Sequence, residues 1–527
     1  DFKLNTLIIE ESNSLSERVK NRIKANNLNN LNKIIQGFED AKEYGSILKL
    51  ESIDKEILER EFNLLKESFN NNEQETLIFN EAEMIIDINE ELELIESLIK
   101  QHIIMTDKFD ITVTNPPYMG NSRMNGVLKE YIDKNYSDVK SDLFAVFIKK
   151  VINFNKKNGF IALVSPYVWW FIKSYEELRN YILNHLTFYN LIQLEYNAFE
   201  GATIPVGTFV LKNKIIPNYK MIGIKLSDFK GIENQPIKTL EAIKNLNCSW
   251  RFQAKQKDFE KIPGSPIAYW VSDKIREIFE KNRIEDFFDV RSGIMTGDDE
   301  VYLKLWQEVN LNKIGFNCLK SNDIIINKKR WFPLNKGGNF RKWYGNNEYI
   351  IDLENNGKRI KNSGKNFRLR EDIFYFKEGM TWSEVSSSKA SFRFSNNGIL
   401  FGSTGPMVYE NNENKIKILM IIGLLNTKLY QYILNIMNPT LHYNVGIIAN
   451  TPLDLTKIFL YEKNIEKISN MNFNISKEEW DSRETSWDFE RLSLIDSKDL
   501  KTAYENYCSH WRDNFVQLHK NEEELNR

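Results

Sequence analysis

Phe109-Asp110-Ile111-Thr112-Val113-Thr114-Asn115-Pro116-Pro117-Tyr118 is the stretch whose reading decides the fold of this chain. Its first six residues are an apolar, β-branched run that predicts a buried strand. The run stops at two prolines, which lack the N–H a ladder needs and hold the preceding backbone extended. Ligands of open α/β sheets sit beyond the carboxyl ends of strands, so the tip at Asn115 is where a site would be built.

The residues at that tip suit one kind of chemistry. An exocyclic amine on a planar base carries two N–H donors and needs two acceptors. The side-chain oxygen of Asn115 offers one, and a carbonyl of the rigid Pro116-Pro117 pair offers another. Tyr118 can stack on the ring. Binding of this kind draws electron density onto the amine nitrogen and aims its lone pair at a methyl donor. The bland alternative is a proline-capped strand end with no chemistry.

The composition bounds the rest. At 527 residues and 62.2 kDa the chain can hold two or three domains with cores of their own. A formal net charge of −2 gives no global signal for nucleic acid, so any such surface is local. Cys248, Cys318 and Cys508 have neither metal-ligand spacing nor a disulfide pattern, which fits a reducing cytoplasm. None of the five histidines sits in a ligand cluster, so no metal is called for. No apolar run approaches the roughly 20 residues that span a bilayer, and no signal-peptide pattern opens the chain.

Along the chain, residues 51–104 are acidic and helical in period, which predicts a helical hairpin inserted before the central strand. After Asn115, Leu128–Tyr136 and Leu143–Phe154 read as helices. Lys157-Asn158-Gly159 reads as a turn into the strand Phe160–Ser165, and Leu191–Glu195 and Thr208–Lys212 as the last strands. This alternation is the α/β pattern. Residues 215–288, with Pro217, Pro236, Pro263 and Pro266, read as a transition. Gly293-Ile294-Met295-Thr296-Gly297-Asp298 reads as a structural turn, since no clean strand and helix flank it as a phosphate cradle requires.

Between Lys320 and Arg370 there are 13 Lys or Arg against 4 Asp or Glu, interleaved with Trp331, Phe332, Phe340, Trp343, Tyr344 and Phe367. Basic residues among aromatics suit phosphate contacts with base or sugar packing. Lys328, Lys329, Arg330, Arg341 and Lys342 are the candidate DNA-binding residues. The alternative is a solvated basic face over core aromatics.

Asn-Pro-Pro-Tyr after a strand resembles the catalytic motif of amino-methyltransferases that use S-adenosylmethionine. That motif is shared by adenine-N6 DNA methylases, which flip the base out of the duplex, and by glutamine-modifying protein methylases. Met119-Gly120, Met124-Asn125, Tyr136 and Lys140-Ser141-Asp142-Leu143-Phe144 narrow the choice. They resemble PglX, the adenine-specific DNA methyltransferase of BREX phage-defence systems. Val290–Asp299 with Trp306, Phe376–Ser383, Gly446–Pro452, Trp480-Asp481-Ser482 and Thr485–Phe489 extend the resemblance.

The resemblance implies a Rossmann-like methyltransferase core over residues 1–288, incomplete at its N-terminus. An α+β target-recognition domain over 289–460 and a helical region over 461–527 would follow. It implies S-adenosylmethionine as cofactor, and double-stranded DNA and other BREX proteins as partners. Asn115, Pro116, Pro117 and Tyr118 are the implied catalytic residues, with Phe199 packing edge-on against the flipped base; a core phenylalanine is its alternative. Asp40, within the PglX-like Phe38–Ser46, and Asp142 are implied to bind the cofactor together with Asn115. Each acid has a plain alternative: a solvent-facing helix-end acid at Asp40, a helix N-cap at Asp142. In PglX a Gly-rich cofactor motif precedes this region, and no Gly-x-Gly lies ahead of Asn115 here. The chain by itself is therefore expected to bind duplex DNA without transferring a methyl group. Other readings are a non-catalytic DNA-recognition component, a protein glutamine methyltransferase and a restriction–modification fusion.

Overall fold

The structure, a computed structural model, describes residues 6–70, 81–196, 198–199, 204–386, 389–411, 417–438, 442–495 and 499–527. It divides into two compact units, Asp1–Glu260 with Gly264–Trp270 and Lys261–Pro263 with Val271–Arg527.

The first unit opens with helices α1 (Glu17–Ala25), α2 (Asn29–Gly37), α3 (Ala41–Tyr44), α4 (Lys55–Asn70) and α5 (Glu81–Thr106). The expected helical hairpin is not set apart as an insertion. Leu58, Phe62 and Leu65 of α4 and Ile95 and Leu98 of α5 close on Val19, Ile23, Leu31 and Ile34 as one core. The N-cap residue of α2, Leu28, makes no side-chain cap. Buried Glu61 of α4 replaces it, accepting the N–H groups of Asn30 and Leu31, both at 3.0 Å. A carboxylate there also meets the positive end of the helix dipole.

The chain then builds β1 (Phe109–Thr114), α6 (Gly126–Asn135), α7 (Leu143–Phe154), β2 (Asn155–Pro166), α8 (Glu176–His185), β3 (Thr187–Gln193) and β4 (Val206–Lys212). Beyond the strands expected to be the last come β5 (Lys220–Lys225), α9 (Asn234–Lys244) and β6 (Arg251–Lys255). The supposed transition is thus part of the sheet, whose order is β1-β2-β4-β3-β5-β6. Strands β1 and β2 are parallel, β4 runs antiparallel to both β2 and β3, and β3 is parallel to β5. Proline spacing suggested loops here, and pairing with β3 overrode it.

Two local expectations fail for reasons of pairing. Among the described residues the run at 109–114 is a strand at one end of the sheet order, and Ile111 and Val113 are 65% and 71% exposed rather than buried. Its composition reports β-propensity, and burial depends on neighbours the composition does not name. Lys157-Asn158-Gly159 is no separating turn but a bulge within β2. Phe109 pairs with Asn155, whereas Ile111 already pairs with Phe160. Asn158 takes φ 68°, and a Cβ on Gly159 would lie 2.7 Å from the Asp110 carbonyl oxygen, so only glycine fits beside it.

Buried Ile161 and Leu163 of β2 meet α7 and α8 in a core that also takes Trp169 and Trp170. Helix α7 buries eight of its twelve residues, which explains its nearly continuous apolar sequence.

The second unit holds two four-stranded sheets. One orders Leu400–Phe401, Trp331–Asn335, Tyr349–Asp352 and Leu303–Leu305. The other, wholly antiparallel, orders Phe392–Ser395, Gly379–Trp382, Met407–Glu410 and Phe288–Arg291. The helices Glu462–Asp481 and Leu500–Leu525 pack within this same unit. Among the described residues, no helix is long and apolar enough to cross a membrane.

Candidate active site

Asn115 stands one residue past the end of β1, and its side chain is exposed while Pro116 beneath it is buried. The pair of prolines fixes the loop, so the amide cannot fold back into the ladder. The half-buried Tyr118 donates its hydroxyl hydrogen bond to Asn115 Oδ1 at 2.9 Å, with the Val164 carbonyl as a longer acceptor at 3.4 Å. Its ring meets Phe144 edge-on, centroids 6.4 Å apart. Burial raises the Tyr118 pKa, so the hydroxyl stays a donor through the neutral range.

Asp142 explains why the loop is held. Its Oδ1 accepts the N–H of Phe144 at 3.2 Å, as N-cap of α7, and the N–H of Met119 at 3.0 Å. The Leu143 N–H donates to the Met119 carbonyl at 3.0 Å, completing a latch between the motif and the helix. Burial raises the Asp142 pKa and these backbone hydrogen bonds offset part of the rise. The helix-cap reading of Asp142 describes all of these contacts, and they make it a positioning residue for Tyr118.

The carboxyl ends of β1, β2 and β3 open on one rim of the sheet. There the β3–β4 ladder continues past the strands, from Leu194 N–H to the Val206 carbonyl and from Ile204 N–H to the Tyr196 carbonyl, both 3.1 Å. Phe199 stands in this hairpin and is 47% exposed, so it is not the core phenylalanine of the alternative reading. Tyr196, absent from the sequence expectations, is 51% exposed on the same hairpin, its ring 6.3 Å from that of Tyr167. A second aromatic three residues before Phe199 was the available signal.

The acids expected at the cofactor are less open. Asp40 has left-handed backbone, φ 54°, and forms a closed pair with Asn13: its Oδ1 accepts from Asn13 Nδ2 at 2.7 Å, and its N–H donates to Asn13 Oδ1 at 2.8 Å. Asp142 is spent on the latch. The residues present fit the amine end of a methyl transfer, and of the two acids Asp40 keeps one carboxylate oxygen, Oδ2, clear of Asn13 for a methyl donor.

In the second unit, four of the five expected DNA contacts are taken by the protein. Lys329 donates to the Asn312 carbonyl at 2.5 Å, and Arg330 to Asp352 at 3.0 and 3.1 Å. Arg341 pairs with Glu479 and stacks on Trp480 at 4.8 Å, and Lys342 pairs with Glu522 at 2.9 Å. Lys328 is exposed. Trp331, Phe332, Trp343 and Tyr344 are buried core, so the interleaved aromatics there do not offer faces to bases. Arg341 and Lys342 instead fasten the two long helices. Arg341→Glu should therefore lower the unfolding free energy by about 2 kcal/mol or more, because it sets a second carboxylate against Glu479, which keeps only its exposed partner Arg483. Urea titration checks this, and a stability change below about 0.5 kcal/mol would refute it.

Comparison with known proteins bears on this geometry. Residues 7–199 match the model of the Eco57I restriction-modification methylase family. Over 523 residues the chain is 32% identical to the adenine-specific methyltransferase PglX of Lacticaseibacillus casei (strain Zhang), covering 94% of this chain and 41% of that protein. The chain is similar to PglX over nearly its whole length. It is also 34% identical over 432 residues to the adenine-specific methyltransferase BrxX of Escherichia coli O9:H4 (strain HS), covering 81% of this chain and 34% of that one. The chain thus spans about two fifths and one third of the lengths of these relatives. Among solved structures, the Type IIL restriction-modification enzyme MmeI in complex with DNA has a TM-score of 0.44 at 12% identity, covering 79% of this chain and 53% of that one. The resemblance read from the motif residues is borne out, and the first unit, which holds the matched residues 7–199, is an α/β core.

Proposed function

We propose that this chain carries the target-binding half of an adenine-N6 DNA methyltransferase of the PglX kind, with S-adenosylmethionine as methyl donor. The observation that carries the reading is the exposed Asn115 amide, latched beyond the strand end through Tyr118, Met119 and Asp142. When bound, the cofactor supplies an electrophilic methyl group. The chain's own part is to hold the amine. Asn115 Oδ1 exchanges the Tyr118 hydroxyl for one amine N–H, and the Pro116 carbonyl accepts the other. Tyr118 keeps the Val164 carbonyl as its acceptor, so the exchange strands no buried donor.

The extruded base packs against the Tyr118 ring, with Phe199 and Tyr196 facing it from the hairpin. Such aromatic contacts offset part of the few kcal/mol lost on unstacking. Asp40 is the residue assigned to the cofactor, through the carboxylate oxygen that Asn13 leaves free. The similarity to PglX and BrxX supports a place in BREX phage defence, in the cytoplasm, beside other BREX proteins.

The test is product analysis. The native enzyme is incubated with S-adenosylmethionine and mixed-sequence duplex DNA, and the digested nucleosides are resolved by mass spectrometry. N6-methyladenine is the expected product. N4-methylcytosine in its place would overturn the base assignment, and methylglutamine in a protein substrate would overturn the substrate class.

A further inference from the structure

We propose that the ribbon Lys358–Arg370 of the second unit is the surface that grips the phosphate backbone of duplex DNA, through Lys358, Lys361, Lys365 and Arg368. The inference rests on the DNA reading above and says where on this chain the backbone is held.

From Asn355 to Arg370 there are six Lys or Arg and no Asp or Glu, within a chain whose net charge is only −2. All four named side chains are exposed, and none makes a hydrogen bond or ion pair with a described residue. The other two cations of the ribbon are anchors. Arg359 pairs with buried Asp352 and lies 5.8 Å from the Tyr302 ring centre, and Arg370 donates to the Gly293 carbonyl at 3.1 Å. Cations left without counter-charge while their neighbours are paired repel one another, and a polyanion relieves that repulsion.

The frame beneath them is fixed. Met295 and Arg368 exchange backbone hydrogen bonds of 2.9 and 2.8 Å, so the ribbon is paired with the turn at Gly293–Asp298. Gly297 allows this approach: at φ 79°, a Cβ there would lie 2.8 Å from the Asn366 carbonyl oxygen. The turn read as structural is thus the support of the ribbon. Cations on a pinned backbone lose less freedom on binding than the same residues on a free loop. At the ribbon's start, Asn355, Asn356 and Gly357 run left-handed, with φ of 50°, 57° and 71°. Asparagine and glycine are the residues that take this conformation at least cost, so the chain turns sharply into the ribbon without strain. Both asparagines are exposed, and their amides match the paired donor and acceptor of an adenine edge.

The experiment compares wild type, the triple variant Lys358→Glu/Lys361→Glu/Lys365→Glu and the milder triple glutamine variant. Binding to fluorescent duplex DNA is measured across salt concentrations, with thermal melts on each protein. The log–log salt slope should shrink by roughly 0.9 per lost contact, hence by 2 to 3 in both triple variants, with melting unchanged. Lys463→Glu, an exposed cation of the same unit outside the ribbon, should keep the wild-type slope. A wild-type slope in both triple variants overturns the ribbon while leaving DNA binding intact. Failure of the wild type to bind duplex DNA overturns the DNA reading and the ribbon with it. Ribbon-dependent binding that prefers duplex RNA would assign the surface to a different partner and overturn the proposal.

Discussion

Replacing Asn115 by alanine is expected to reduce methyl transfer by the native enzyme about 100-fold or more, the cost typical of deleting one acceptor or donor aimed at a reacting centre. The substitution leaves the prolines, the Asp142 latch and the sheet untouched, so melting should not move. Asn115 is exposed at the loop tip, and its one hydrogen bond in the structure, from Tyr118, has a second acceptor in Val164. DNA affinity should stay within a few-fold, because the phosphate contacts that supply most of it lie elsewhere. Tritium transfer to duplex DNA reads the first quantity and fluorescence anisotropy the second. More than a tenth of the activity remaining in the alanine variant would remove Asn115 from the reacting centre.

The second large effect concerns stability. Arg179 is fully buried on α8. Its guanidinium donates to the Gly264 carbonyl at 3.0 and 2.6 Å, to Trp169 at 2.8 Å and to Ile172 at 2.7 Å. Burial pulls its pKa down to about 10, partly countered by Glu176, so it remains charged at neutral pH. It ties the turn after β2 to the Gly264 segment of the same unit. Arg179→Met fills most of the volume but leaves the Trp169 and Gly264 carbonyls without donors, at about 1–3 kcal/mol each before relaxation, and leaves that of Ile172 only the Tyr175 N–H at 3.3 Å. The expected loss is about 3–5 kcal/mol in urea titration. Lysine should not rescue it, since a point charge cannot reach carbonyls spread across a planar fork. A loss under about 1 kcal/mol would mean that water or a shifted backbone satisfies those carbonyls.

Where the sequence was legible, the information was local. Helix α7 was readable to the residue because Asp142 caps it and an apolar run fills it. The strand before Asn115 was readable because β-branched residues lead into two prolines that cannot continue a ladder. Where it misled, the missing quantity was a partner. The cations at 329–330 and 341–342 looked free for phosphate in a one-dimensional charge count. Their partners are the Asn312 carbonyl and the carboxylates of Asp352, Glu479 and Glu522, up to 180 residues away. Lys358, Lys361, Lys365 and Arg368 lie in the same basic stretch and have no such counterparts among the described residues, a difference that composition cannot express.

The sequence by itself determined the chemistry of the motif. An amide oxygen, a proline carbonyl and an aromatic ring in four consecutive residues are close enough in the chain to act together whatever surrounds them. It also determined the similarity to PglX, carried by motifs from one end of the chain to the other. Only the tertiary structure decided that the motif strand ends the sheet order among the described residues, that Asp142 holds the Met119 and Phe144 N–H groups, and that Phe199 and Tyr196 are exposed. It also decided which basic residues face solvent. Each of these depends on contacts between residues far apart in sequence, and burial and pairing belong to such contacts rather than to any residue alone.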